Sequence, residues 1–267
     1  MKESNFFSKI TQPVIGMIHL QPLPGSAGYD GRGIGPVLEQ AMADGRLLDE
    51  AGLDAILIQN TGDIPAAGDG GPETIAHMAG IGTLLRHELK TPLGVNVLSN
   101  GAESALAIAQ AIDAAFIRIK VYVGAVVGTN GIVQGAAQRT LDFMHKIGAQ
   151  NIDIAADIYD RTSQPLVDMP IEEAAHYANF HGKADALVIT GISVEDSIDR
   201  IKRVKASVKD IPIYAGGGTT KENVEQFFSV CDGIIVGNAV KTGPEFQGQV
   251  DRTRLMAYME AVNRVRR

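Results

Sequence analysis

The stretch "IPIYAGGGTT", Ile211 to Thr220, runs from a short apolar segment into three consecutive glycines and two threonines. The apolar half has the length and β-branched content of a buried strand. Glycine brings no side chain to pack and loses more backbone entropy on folding than other residues. Its clustering at a strand end points to a turn with positive φ, or to main-chain N–H groups that face a ligand with no Cβ in the way. Downstream, "DGIIVGNAVK" has the same layout: an apolar run, then Gly237 and Asn238 opening a short helical turn.

Six more apolar runs precede these two. They are "PVIGMIHL" (Pro13–Leu20), "DAILIQN" (Asp54–Asn60), "PLGVNVL" (Pro92–Leu98), "AFIRIKV" (Ala115–Val121), "NIDIAADI" (Asn151–Ile158) and "DALVIT" (Asp185–Thr190). Most are nearly continuous apolar strands, the pattern of parallel strands covered on both faces. Between them, segments such as "VLEQAMADGRLLDEAG" and "VEDSIDRIKRVKASV" place apolar residues at i, i+3 and i+4, as amphipathic helices do. Eight strands alternating with eight helices in 267 residues predict an α/β chain folded as a single (β/α)8 TIM barrel over residues 1–267, with 1–12 as an N-terminal extension. A doubly wound open sheet is the alternative. It calls for G-x-G-x-x-G directly after the first strand, where this chain has "LQPLPGS", and no Walker motif is present.

The connections are unequal. Those entering strands are short, whereas "LQPLPGSAGYDGRGIGP", "TGDIPAAGDGGP", "YVGAVVGTNGIVQGA" and "YDRTSQPLVDMP" leave strands and are long. All four project from the C-terminal face, where barrels of this kind carry their sites. With 24 Lys and Arg against 31 Asp and Glu, the net charge is −7, and no basic stripe offers itself to nucleic acid. A single cysteine, Cys231, beside "DGIIVG", excludes an internal disulfide and is expected to be buried. The N-terminus lacks the apolar core of a signal peptide, and no run reaches the length of a membrane span, so a cytoplasmic protein is expected.

The last two strand ends are the place where barrels commonly build a phosphate site. Gly216, Gly217, Gly218, Gly237 and Asn238 are therefore expected to cradle a phosphate, the alternative being tight turns alone. Thr219 and Glu222 have the spacing of a capping box for the helix that follows. At other strand ends stand His19, Gln59, Asn60, Asn96, Lys120 and Asp157. A charge at the end of an apolar strand needs a partner. Lys120 and Asp157, on neighbouring strands, are expected to pair. Either that pair only closes the barrel top, or Asp157 is a general acid/base and Lys120 stabilises an enolate, with a Schiff base on Lys120 as a third reading. Arg118 is in phase with Lys120, and a shared orientation calls for a carboxylate or phosphate between them. His19 is a third catalytic candidate, with Asn60 and Asn96 lining the substrate. No H-x-H, C-x-x-C or H-E-x-x-H spacing occurs. No cofactor or metal is predicted, and a divalent ion held by His19 and Asp157 has no motif behind it.

"PVIGMIHLQPLPGS", "IRIKVYVGAVV", "ADALVITG", "IYAGGGTT" and "DGIIVGNAVK" together resemble the BtpA/SgcQ family over nearly the whole chain. That resemblance implies a ribulose-phosphate-binding-barrel-like fold with a phosphate site. The family takes its name from a cyanobacterial factor needed for photosystem I accumulation, and other members occur among sugar-utilisation genes. Two departures stand out. Tyr159, Arg161 and Thr162 occupy a stretch after the fifth strand that is Lys- and His-rich in relatives, and Gly248 replaces an Asn in "GQVD", which keeps Asp251. Two functions are consistent with this reading. One is an isomerase, epimerase or lyase acting on a phosphorylated sugar or related metabolite. The other is a non-catalytic biogenesis factor for a membrane complex that uses the barrel as a scaffold. A homo-oligomer fits either.

Overall fold

The eight apolar runs form the eight strands of a closed parallel barrel, in the order in which they occur along the chain. They are β1 (Val14–His19), β2 (Ala55–Gln59), β3 (Leu93–Asn96), β4 (Phe116–Ile119), β5 (Asp153–Ile158), β6 (Ala186–Ile189), β7 (Ile213–Ala215) and β8 (Gly233–Val236). In the computed structural model, residues 6–66, 68–243 and 248–266 are described. The helices after the strands are α1 (Gly35–Glu50), α2 (Pro72–Glu88), α3 (Ala102–Ala111), α4 (Ala137–Ile147), α5 (Ile171–His176), α6 (Val194–Ser207), α7 (Val224–Phe228) and α8 (Arg252–Val265).

Each strand is buried on both faces, and the two-residue period of a strand sorts its side chains into two cores. Ile15, Met17, Ala55, Leu57, Phe116, Ala155, Ala186, Val188, Tyr214 and Ile235 pack inside the barrel. Their neighbours Val14, Ile18, Ile56, Ile117, Leu187 and Ile234 pack outward against the helices. The register holds the inner set level, with Ile15 opposite both Ala55 and Ile235. A helical turn, Phe6–Lys9, closes the N-terminal end. Phe6 stacks on Phe116 at 5.1 Å, and Phe7 meets Tyr214 edge-on at 5.2 Å. Part of the 1–12 extension is thus interior packing, while residues 1–5 lie outside the described residues.

The opening motif "IHLQPLPG" has a packing explanation. Leu20 accepts from the Gly62 amide at 2.9 Å, and the Leu23 amide donates to Asp63 Oδ1 at 2.8 Å, so the loops after β1 and β2 lock together. A Cβ on Gly62 would fall 2.4 Å from Pro22 N, which reserves that position for glycine. The long loops after β4 and β5 carry a small antiparallel sheet of Ala125–Gly128, Gly131–Gln134 and Gln164–Pro165. Its turn is the two residues Thr129 and Asn130, between Gly128 and Gly131, which pair across the hairpin.

The helix after β7 begins later than the glycines imply. Thr219 and Glu222 do not form a capping box. Thr219 Oγ1 accepts from the buried Tyr258 hydroxyl at 2.9 Å, and Thr220 turns the chain instead, its Oγ1 accepting from the Glu222 amide at 3.2 Å. α7 starts only after Asn223. At the other end of the chain, Asp251 caps α8 through an Oδ1 that accepts from the Arg254 amide at 2.8 Å. Asp251→Ala is expected to lower stability by about 1 kcal/mol, and Asp251→Gly by only a few tenths, in urea unfolding. An unchanged midpoint for the alanine variant would remove the cap from the stability of this fold.

Candidate active site

One strand period beyond the apolar interior, the inward positions turn polar or lose their side chain. They are His19, Gln59, Asn96, Arg118, Asp157, Thr190, Gly216 and Gly237. His19 lies opposite Gln59, and Gln59 opposite Asn96. This ring caps the core at the C-terminal face.

Its centre is an ion pair. Arg118 Nε and Nη2 donate to Asp157 Oδ2 and Oδ1 at 3.0 and 2.9 Å. The residues are 8% and 5% exposed, so both charges are out of water. The expected Lys120–Asp157 pair is replaced by this one. The fork of the guanidinium matches a carboxylate bidentately, which an ammonium cannot do. Lys120, less buried, lies 3.6 Å from Asp160 at the rim. Burial pushes the Asp157 carboxyl up to about 6, against the opposing pull of Arg118.

Above the pair lies the glycine turn. A Cβ on Gly216 would meet Thr190 Oγ1 at 2.4 Å and Arg118 Nη2 at 3.3 Å, so all three groups meet at one point. The Gly216 amide is engaged, donating to Ile189 O at 2.9 Å. Those of Gly217 and Gly218 have no hydrogen-bond acceptor among the described residues, and a Cβ at either position would have nothing within 4 Å. Their φ values are +154° and +78°. Thr190 Oγ1 is buried without a partner among the described residues. Open space thus lies beside Gly217 and Gly218, while the Thr190 hydroxyl and the Arg118 guanidinium are buried against Gly216.

At the eighth strand end, the His19 ring packs on Gly237, with Cε1 and Nε2 3.3 and 3.4 Å from where its Cβ would lie. Gly237 precedes the 3-10 turn Asn238–Val240, and Asn238 is exposed. Burial, with the positive charges of Lys241 and Arg118, holds the His19 imidazole down at about 3, so it is neutral near pH 7. The unfolded chain takes up a proton below about 6.5 that the folded chain refuses, so stability falls as pH drops from 6.5 toward 3. Between pH 7 and 5 this amounts to about 2 kcal/mol for one such group. His19→Gln is expected to flatten the decline by that amount in urea titrations at the two pH values. Equal slopes would contradict it.

Asn60 and Asn96 are both buried. Asn60 Nδ2 donates to Asp63 Oδ2 at 3.0 Å and its Oδ1 accepts from the Leu98 amide at 2.7 Å, so its side chain ties two loops. Asn96 Nδ2 donates to Arg118 O at 2.7 Å and steadies the strand that carries the guanidinium. Arg118 and Thr190 are the residues that sequence reasoning left outside the expected site. Both are in phase with inward apolar residues, Phe116 and Val188, which is the signal that finds them.

Two spaces adjoin this face. One, of about 10 Å³, touches Lys120, Asp157, Asp160 and Ser163, and is the size of one water. The other is a cleft of about 500 Å³ between the loops after β2 and β3 and the hairpin 125–134, lined by Asn100, Asn130, Gln134 and Arg139. None of the ring residues lines that cleft. Among the described residues, no group of three or more His, Cys, Asp or Glu could hold a metal ion, and no helix is long and apolar enough to cross a membrane.

The model of the BtpA family matches residues 10–264. An uncharacterized protein of Pyrococcus horikoshii is 32% identical over 265 residues, covering 96% of this chain and 97% of its own. The putative sgc region protein SgcQ of Escherichia coli is 32% identical over 257 residues, 95% of each chain. Photosystem I biogenesis protein BtpA of Synechocystis sp. is 29% identical over 253 residues, 94% of this chain and 88% of that one. Among solved structures, native KDPGal superposes with a TM-score of 0.59 at 17% identity, covering 98% of both chains. The N-acetylmannosamine-6-phosphate 2-epimerase from Clostridium perfringens superposes with a TM-score of 0.56 at 14% identity, covering 90% of this chain and 92% of that one. These structural likenesses carry the fold.

Proposed function

This chain is a member of the BtpA family with a TIM-barrel fold, and from that premise we propose that it is an enzyme acting on a phosphorylated sugar or related metabolite by proton transfer at carbon. The observation that carries the reading is the convergence at the seventh strand end. The Gly217 and Gly218 amides are unengaged beside open space, and the partnerless Thr190 hydroxyl and the Arg118 guanidinium lie buried against the neighbouring Gly216. Main-chain amides in a glycine turn suit a phosphate dianion, and Arg118 Nη1, which makes no bond to Asp157, adds a charged donor.

The chemistry follows from the ring beneath. Asp157, with a carboxyl near 6, removes a proton from carbon and returns it. Arg118 orients that carboxylate and offsets charge developing on the substrate oxygen. His19, held neutral, donates a hydrogen bond to the same oxygen without losing its proton. Lys120, paired with Asp160 at the rim, attracts the anion to the mouth. The fold is shared with an epimerase named for a 6-phosphate sugar, which is the substrate class proposed.

A thermal-shift screen of phosphorylated metabolites beside their dephosphorylated counterparts tests this. A ligand at about a hundred times its Kd adds about 2.7 kcal/mol of stability, a clear rise in Tm. Only phosphorylated compounds are expected to produce it. Equal shifts by the dephosphorylated forms, or none by any phosphate ester, would remove the reading. The scaffold alternative is supported by the exposed Val127 and Ile132 on the accessory sheet and Leu166 and Val167 just after its last strand. It predicts no metabolite shift at all.

A further inference from the structure

One buried amine has no place in the mechanism above. Lys241 follows the turn after β8 and is 4% exposed, yet its Nζ has no hydrogen-bond partner among the described residues. Its main chain is fixed, pairing with Val250 and accepting from Arg254 Nη1 at 2.7 Å. Asp44, on α1, is 2% exposed. Its Oδ1 accepts from the Val250 amide at 2.9 Å, and its Oδ2 has no hydrogen bond within 3.5 Å among the described residues. Lys241 and Asp44 perturb each other's titration, and Lys241 also acts on His19. A purely structural layer leaves such atoms bonded, because each one left bare costs about 1–3 kcal/mol. Here the Lys241 nitrogen and an Asp44 oxygen are each without a hydrogen bond among the described residues, and the Lys241 charge acts on both Asp44 and the histidine of the site. Lys120, by contrast, is paired at the rim.

We infer that Lys241 is a nucleophile whose amine condenses with an aldehyde or ketone of the phosphorylated substrate to form an imine, with Asp44 as the proton donor. This rests on the reading above and narrows it to carbonyl-bearing phosphates and to lyase chemistry. Nζ forms a bond to the carbonyl carbon, and the C=O π pair moves to oxygen. One proton passes from nitrogen to that oxygen and gives a carbinolamine. The Asp44 carboxyl then protonates the hydroxyl, the C–O bond breaks and water leaves. The nitrogen keeps one hydrogen and the positive charge, opposite the Asp44 carboxylate. Nothing is oxidised or reduced. Burial suits both partners: it lowers Lys241 to about 8, which leaves a neutral fraction for attack, and raises Asp44, which favours the proton donor.

The test uses the full chain with dihydroxyacetone phosphate, glyceraldehyde 3-phosphate and ribulose 5-phosphate, each treated with sodium borohydride and mapped by peptide mass spectrometry. The reduced adduct is expected on Lys241 at about tenfold or more above any other lysine, since this amine is both desolvated and unpaired. It persists in Lys120→Arg and vanishes in Lys241→Arg. Adduct on Lys120, adduct spread over surface lysines, or none on Lys241 overturns the inference. The mapping is done on the wild-type chain, so it does not depend on a variant folding. Glycerol 3-phosphate and glyceraldehyde separate the two claims. Stabilisation by glycerol 3-phosphate without any Lys241 adduct defeats the imine alone. Adduct formed as readily from glyceraldehyde as from its phosphate defeats the phosphate site alone.

Discussion

Arg118→Met is expected to lower the free energy of unfolding by about 3–5 kcal/mol at pH 8, because it strands a carboxylate in a site sealed from water. Asp157 is 5% exposed, and among the described residues its only cation at bonding distance is Arg118. Once that partner is gone the carboxyl escapes by taking a proton, so the loss shrinks as pH falls toward 5. The double variant Arg118→Met/Asp157→Leu is expected to recover most of the stability, since an apolar pair of similar volume has no charge to desolvate. Urea unfolding of the wild type, both single variants and the double variant completes the cycle. A loss below about 1 kcal/mol for Arg118→Met would mean that water reaches the pair and that the ring is not the closed layer described here.

Asp157→Asn carries the largest effect on chemistry. The amide keeps the volume and one acceptor for Arg118 but cannot accept a proton from carbon. With a substrate from the screen, kcat/KM is expected to fall by about 10²–10⁴, the usual contribution of a positioned acid/base. The wild-type profile is expected to have an acid limb with the same origin. On the proposed mechanism the working form of Asp157 is the carboxylate, so kcat/KM is expected to decline as pH drops through about 6, where burial has set its titration. That limb is expected to be absent from the residual activity of the variant. Wild-type turnover by Asp157→Asn would assign the proton transfer elsewhere and leave the ion pair a purely structural one.

The barrel was legible because its eight strands are apolar on both faces and its helices are not, a contrast that survives without any structure. The glycine turn after the seventh strand was legible through Gly217 and Gly218, whose positive φ values confine them to few residue types. Partner choice was less so. Lys120 and Arg118 share one inward phase, and only the depth of each side chain decides which meets Asp157. The deeper position falls to Arg118, whose planar fork fits the carboxylate. The capping box failed because Tyr258, 39 residues away in sequence, takes the Thr219 hydroxyl, and local spacing carries no trace of that contact. Lys241 was hidden for a related reason. Its main chain pairs with Val250 on the strand before α8, and the Val250 amide donates to Asp44 on α1, partners distant in sequence.

The site at the seventh strand end is tested most directly by calorimetric titration of glycerol 3-phosphate into the wild type, Asp157→Asn and Gly217→Asp. The wild type and Asp157→Asn are expected to bind with similar affinity. Gly217→Asp places a carboxylate in the space open to the phosphate, and like charges in contact cost several kcal/mol, so its affinity should fall by about a hundredfold or more. Equal affinity in all three proteins, or no binding by the wild type, would contradict a phosphate site at Gly217 and Gly218.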